Sequence, residues 1–228
     1  MGGQNPTHTK GKRGPPIKVI AINGSPHSEG NTFQLLRTSA DVLAQHGIET
    51  EIVQVGHLTL AGCQSCGGCA ARHDGRCALP DDGLNAILAK MGQADGILLG
   101  SPVHYAGISG AMKCFLDRAF YASSKCPVSP LRHKVGAALT AVRRTGGMPA
   151  LQSMYHYLSY MEMLLPTSNY WAVVHGRNPG EVLLDEEGMQ TVRLLAENMA
   201  WLLSLRASGG ALPPPEAEAK RLTNFIRP

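Results

Sequence analysis

Two stretches of this sequence carry residue types that could do chemistry. The first is a run of thiols, Cys63-x2-Cys66-x2-Cys69-x7-Cys77. Two-residue spacers let one tight loop aim successive thiolates at a single centre, and Gly62, Gly67 and Gly68 ease the turns. The residues before Cys77 span on the order of 20 Å if extended, enough for that thiol to return to the same centre. Such spacing is that of a 4Fe–4S cluster. Three rivals stay open. Zinc in a four-thiolate site more often pairs two C-x2-C knuckles across a longer gap. Neighbouring thiols can form a labile disulfide. The cysteines can also hold no metal. Cys114 and Cys126, placed in a helix and a loop, read as ordinary thiols.

The second stretch runs from Val19 to Thr32, VIAINGSPHSEGNT. An apolar strand enters a short polar loop, and Phe33, Leu35, Leu36, Val42 and Leu43 then recur at helical spacing. A strand that delivers its end to a helix N-terminus builds an anion site from free backbone N–H groups and the helix dipole. Ser25, Ser28, Asn31 and Thr32 add hydroxyl and amide groups, and Gly30 lets the backbone close around a ligand. Neither the P-loop lysine pattern nor G-x-G-x-x-G is present, which disfavours nucleoside triphosphates and dinucleotides. A neutral, hydroxyl-rich loop suits one terminal phosphate, as on FMN. The plainer alternative is a capped βα turn.

The elements that must position these loops alternate. Strands are predicted over 17–22, 48–55, 94–100, 135–142 and 170–174, and helices over 32–46, 81–91, 111–120, 149–163 and 189–205. Residues 56–80 form a long connection holding the four clustered cysteines. The β-α alternation implies an α/β fold, a doubly wound five-stranded parallel sheet in three α/β/α layers. Ligands of such sheets bind beyond the carboxyl ends of the strands. Three of those ends carry polar, glycine-rich loops, at Ser25–Thr32, Ser101–Gly110 and Arg143–Gly147, which meet on one edge. Residues 1–16 read as a flexible N-terminal arm, 17–208 as the domain and 209–228 as a tail that is a short helix over 216–226 or loose.

At these loops the sequence resembles the flavodoxin-fold NAD(P)H-dependent FMN oxidoreductases, and within them the iron–sulfur flavoprotein branch. The matching motifs are Asn23-Gly24-Ser25-Pro26 through Gly30-Asn31-Thr32, and Ser101-Pro102-Val103-His104-Tyr105 through Ser109-Gly110-Ala111-Met112-Lys113 with Phe115 and Asp117-Arg118. Arg143-Arg144-Thr145-Gly146-Gly147 follows, then Pro179-Gly180-Glu181-Val182 with Asp185-Glu186-Glu187-Gly188. The resemblance implies FMN phosphate on Ser25, His27, Ser28, Gly30, Asn31 and Thr32. It sets the flavin ring against Ser101, Pro102, Val103, His104, Tyr105 and Gly107, flanked by Arg143, Thr145, Gly146 and Gly147. His27 stands where relatives often carry Arg or Lys, and His104 where Tyr is common. In the branch, a similar cysteine run holds a 4Fe–4S cluster, which implies Cys63, Cys66, Cys69 and Cys77 as ligands.

The implied activity is FMN-dependent oxidation and reduction with NAD(P)H as co-substrate, the flavin taking hydride and returning electrons singly or in pairs. The alternative is a cluster-free NAD(P)H:quinone or flavin reductase. Arg143 and Arg144 could hold an anionic reduced flavin or a pyridine-nucleotide phosphate. Among 228 residues, 21 basic against 17 acidic side chains leave a charge of +4, with no basic run long enough for nucleic acid. A true flavodoxin-type carrier is usually strongly acidic. Without a signal peptide or an apolar span, a cytoplasmic protein with no membrane partner is expected. Its partners are a small-molecule or protein electron donor and acceptor, and the family implies a homodimer or homotetramer.

Overall fold

The computed structural model describes residues 16–208, 212–218, 220–223 and 225–226. The arm expected over 1–16 lies outside the described residues except for Pro16, and so do residues 209–211 of the tail. Strands β1 (Lys18–Asn23), β2 (Glu49–Gln54), β3 (Gly96–His104), β5 (Val135–Val142) and β6 (Val173–His175) form a parallel sheet in the order β2-β1-β3-β5-β6. A two-residue strand, β4 (Gly107–Ile108), pairs antiparallel with the end of β3. Helices α1 (Asn31–Gln45), α2 (Gly68–Arg72), α3 (Leu84–Gln93), α4 (Gly110–Ser123), α5 (Gly147–Tyr160) and α6 (Glu186–Ser208) complete the chain.

The pleat sends alternate residues to opposite faces. Val19 and Ala21 of β1, with Leu98, Ala137 and Leu139, meet Leu35, Leu36 and Leu43 of α1 and Val192, Leu195 and Met199 of α6. Ile20 and Ile22, with Ile97, Leu99 and Ala138, meet Leu84 and Leu88 of α3, Phe115 and Leu116 of α4, and Leu151 and Met154 of α5. Because both faces are covered, β1, β3 and β5 read as unbroken apolar runs rather than alternating ones.

Several boundaries differ from the sequence expectation. The β3 strand continues to His104 because Val103 and His104 find partners in Ile108 and Gly107. The expected open loop over 101–110 is therefore a hairpin. Helix α5 begins at Gly147 rather than 149 and ends at Tyr160 rather than 163, and α6 begins at Glu186. Strand β6 is short and late, since pairing with β5 starts only at Thr140↔Val173. The cysteine connection contains the single helical turn α2, and the described residues between 216 and 226 form no helix.

Candidate functional site

Asn23, the last residue of β1, is fully buried and shapes the turn that follows. Its Oδ1 accepts the Ser25 N–H at 3.0 Å, and the Ser25 hydroxyl accepts the His27 N–H at 3.1 Å. The Asn23 carbonyl accepts the N–H groups of Val55 and Gly56, at 2.9 and 3.1 Å. The Gln54 side-chain amide donates to the carbonyl of Ser25. So the end of β2 clamps the loop from one side. Gly56 permits this closeness: a Cβ there would lie 1.9 Å from the Ser25 carbonyl oxygen.

The loop delivers the chain to α1 with no side-chain cap at Gly30. The first-turn amides of a helix have no intrahelical acceptor. Beside them two buried polar atoms, Asn31 Oδ1 and Thr32 Oγ1, lack any hydrogen-bond partner. Thr32 is 1% exposed. Buried polar atoms are normally paired; Asn31 Oδ1 is an acceptor and offers an anion nothing, but the Thr32 hydroxyl is a donor left over beside free helix amides, which suits an anion. His27 and Ser28 are exposed on the outer side of the loop, whereas Ser25 is buried beneath it.

The second loop is tied to the first. The Gly24 N–H donates to the Gly100 carbonyl at 2.8 Å. The Ser109 hydroxyl donates to the Gly24 carbonyl at 2.5 Å and accepts the Met112 N–H at 3.2 Å, capping α4. Ser101 is buried; its hydroxyl accepts the Ser109 N–H and its carbonyl accepts the Thr140 hydroxyl at 2.7 Å. Ser101 is thus a structural strut beneath the hairpin, and Pro102, Val103 and Gly107 are half-buried on it. His104 and Tyr105 are exposed at its tip, Tyr105 with a left-handed φ of 62°.

The third loop closes the row. Gly146 has φ 91°, a conformation that favours glycine, and turns the chain into α5. A Cβ on Gly146 would stand 3.1 Å from Val103 Cγ1, which places this loop against the hairpin. Gly147 is buried, while Arg143, Arg144 and Thr145 are exposed beyond β5. The three expected loops therefore form one continuous edge, from the α1 N-terminus through Gly24 and Ser109 to Val103 and Gly146.

The cysteine loop leaves this same edge from β2. All six cysteines are free thiols. Cys63 and Cys66 are exposed, Cys69 is buried in α2 and Cys77 is half-buried. Among the described residues, no group of three or more His, Cys, Asp or Glu side chains stands close enough to hold a metal ion. Burial pushes the Cys69 thiol up, with Cys77 and Cys63 adding to the rise. Asn85 of α3 grips Cys77 through both its backbone groups, at 2.8 and 3.0 Å. Arg118 of α4 does more, although sequence reasoning assigned it no role. Its guanidinium pairs with Asp82, donates to the Ala61 carbonyl at 3.2 Å, and sets Nε 3.3 Å from the Cys77 sulfur. Burial pulls the Asp82 carboxyl up, but the Arg118 partner overrides it and holds it below the usual carboxylate range. Cys114 and Cys126 also border the loop, their sulfurs 4.0 and 3.0 Å from where a Cβ on Gly62 and on Gly75 would stand.

The sequence matches the family described as NADPH-dependent FMN reductase over residues 17–178. The chain belongs to that family. It is 36% identical over 197 residues to an iron–sulfur flavoprotein of Methanocaldococcus jannaschii, covering 83% of this chain and 98% of that protein. Among solved structures, it resembles RosB, crystallised with 8-demethyl-8-formylriboflavin-5'-phosphate (TM-score 0.61, 17% identity, 92% of this chain and 94% of that one). It also resembles a flavodoxin, WrbA-like protein from Agrobacterium tumefaciens (TM-score 0.54, 15% identity, 83% and 98%). Those two likenesses show a flavodoxin-like fold. The chain is an FMN-dependent oxidoreductase of the electron-transfer type, as family membership establishes. No helix among the described residues is long and apolar enough to cross a membrane.

Gln54, Gly56 and Asp82 shape the candidate site and were missed by sequence reasoning, whereas Asn23, Ser109 and Arg118 stood in the matching motifs without an assigned role. One signal was available. Arg118 falls on the apolar stripe of α4 between Phe115 and Ala122, and a cation there must be paired.

Proposed function

We propose that FMN sits along this edge with its phosphate on the α1 N-terminus, held by Ser25, Ser28, Gly30, Asn31 and Thr32 under His27. The flavin ring lies along Pro102–Tyr105 and Gly107, with Arg143, Thr145, Gly146 and Gly147 on its other side. The observation that carries this reading is the uncapped helix end beside the buried, partnerless Thr32 hydroxyl. Bound FMN supplies hydride acceptance from NAD(P)H and delivery of one or two electrons. The residues do the rest. The Thr32 hydroxyl and the first-turn amides donate to phosphate oxygens. Ser109 and Gln54 hold the loop rigid, and the hairpin shields one side of the site from water. Arg143 and Arg144 offer positive charge where the reduced flavin or the nucleotide phosphate is negative.

The cysteine loop is proposed to hold one 4Fe–4S cluster on Cys63, Cys66, Cys69 and Cys77. What supports this is the C-x2-C-x2-C spacing with a further Cys and the likeness to a relative named an iron–sulfur flavoprotein; the thiols as placed do not themselves form a metal-holding group. Its service would be single-electron exchange with a small-molecule or protein partner. The exposed rings of Tyr121 and Tyr160 on α4 and α5 suit a homodimer or homotetramer, which light scattering would detect.

The test is anaerobic purification with FMN, iron and acid-labile sulfide measured per chain, followed by NAD(P)H oxidation. One FMN per chain, four irons and four sulfides are expected. FMN and turnover without iron would leave a cluster-free reductase. A colourless protein that takes up no added FMN would overturn the flavin site.

A further inference from the structure

The described residues after α6 are seated on the loop that precedes β5. Pro213, Pro214 and Pro215 carry no N–H, so this stretch can be held only through its carbonyls. Arg132 holds it that way. Its side chain is 13% exposed, and Nε is fixed by Glu162 at 2.7 Å. Nη1 and Nη2 donate to the carbonyls of Pro215 and Glu216 at 2.8 and 3.3 Å. Farther on, Lys220 Nζ donates to the Tyr160 hydroxyl at 2.8 Å and lies 4.5 Å from the centre of that ring. There the polar seat ends. Leu222 and Phe225 are 87% and 95% exposed.

Tyr160 is also one wall of a groove of about 300 Å³ between α4 and α5, lined by Phe120, Tyr121 and Tyr157 with Asp117 and His156. Phe120 packs edge-on to Tyr157 at 5.4 Å, and the Tyr157 hydroxyl is spent on Asp117. The groove therefore offers mostly ring surface, which suits apolar side chains. One chain thus carries both halves of a contact, an apolar tail end and an aromatic groove, and its own Leu222 and Phe225 stay outside its own groove. We propose that the groove takes Leu222 and Phe225 of a second copy of this chain, with the exchange returned across a two-fold axis. That arrangement occupies both tails and both grooves and closes on itself. The span from Lys220 to Phe225 reaches on the order of 17 Å when extended, enough to cross to a facing groove. The contact rests on the homo-oligomer reading and names what holds the copies together.

The test is dilution of the full-length protein, with self-association followed by sedimentation velocity. Burying one such side chain changes an equilibrium constant about tenfold or more, and each is counted twice across the axis. Leu222→Ser combined with Phe225→Ser is therefore expected to weaken association at least about a hundredfold, with FMN content unchanged. Tyr121→Glu, which puts a charge in the groove, should act in the same direction. Mixing the two variant proteins separates exchange from any other contact. The mixed pair keeps one intact tail facing one intact groove, so it should associate more tightly than either variant alone. Wild type that stays a monomer at the highest concentration measured overturns the homo-oligomer reading and this contact with it. A wild-type oligomer matched by an equally tight tail variant overturns this contact alone, and so does a mixture no tighter than its components. If Tyr121→Glu does not fold, the tail variant decides: a loss of about tenfold or more supports the contact, and a smaller one overturns it.

Discussion

Replacing Thr32 with Val tests the phosphate site from two sides. The substitution preserves shape and exchanges one buried hydroxyl for a methyl group. Without ligand, that hydroxyl has no partner. A buried unsatisfied polar group costs about 1–3 kcal/mol, so Thr32→Val should stabilise the FMN-free protein by up to about that amount. With FMN bound, the hydroxyl donates to a charged phosphate. Such hydrogen bonds contribute about 1.5–3 kcal/mol, and their loss weakens binding by about ten- to a hundredfold. Urea unfolding of the flavin-free protein and fluorescence titration with FMN measure the two effects separately. Thr32→Ser retains the hydroxyl and should keep most of the affinity. A Thr32→Val protein that loses stability while binding FMN as tightly as wild type would refute the argument that this hydroxyl awaits an anion.

Gly56→Ala should cost about 1–3 kcal/mol or more by denaturant unfolding and weaken FMN, because the new Cβ drives into the Ser25 carbonyl. Asp185 accepts the Gly188 N–H at 2.9 Å and the His175 N–H at 2.7 Å, joining the start of α6 to β6. Asp185→Ala should therefore cost about 1–2 kcal/mol at neutral pH, read as a lowered Tm. Burial pulls this carboxyl up, but the His175 and Gly188 N–H groups outweigh it and hold it below its ordinary value. Its contribution is present above the unfolded pKa of about 3.9 and is lost as pH falls through the lower folded value. The gap between wild type and Asp185→Ala should close over that acid window, and a constant gap would contradict the assignment. Arg143 is exposed, so Arg143→Ala should raise the KM for NAD(P)H or lower the flavin potential modestly, less so at high salt. Unchanged kinetics and potential would count against any role for it at the ring.

The legible parts of the sequence were those set by local pattern. Strands β1, β3 and β5 declared themselves as apolar runs because both their faces are covered. The turn at Gly47 closes α1 with φ 72°, as a glycine after a helical stripe suggests. Boundaries failed where pairing is non-local. Nothing near His104 says that Gly107 will fold back to extend β3. Nothing near Trp171 says that β6 must wait for Thr140 before it can pair. Helix α5 starts earlier than its apolar stripe because Gly146 turns the chain at its positive φ.

For the site, sequence alone determined the loops and their residue types. The order of strands and helices requires that polar segments after β1, β3 and β5 emerge at the carboxyl edge of one parallel sheet. Local chemistry also marks Thr32 and Asn31 as groups at a helix start. Only the tertiary structure decided which groups are spent on holding the scaffold and which are left over. Ser101 and Ser109 are consumed as struts, Asn23 and Gln54 clamp the loop from neighbouring strands, and Thr32 is left unpaired. Arg118 meets Asp82, Ala61 and Cys77 across 36, 57 and 41 positions of chain. Hydrogen-bond satisfaction depends on distances in space, and the spacing of residues along a chain does not encode them until the sheet and its helices have packed.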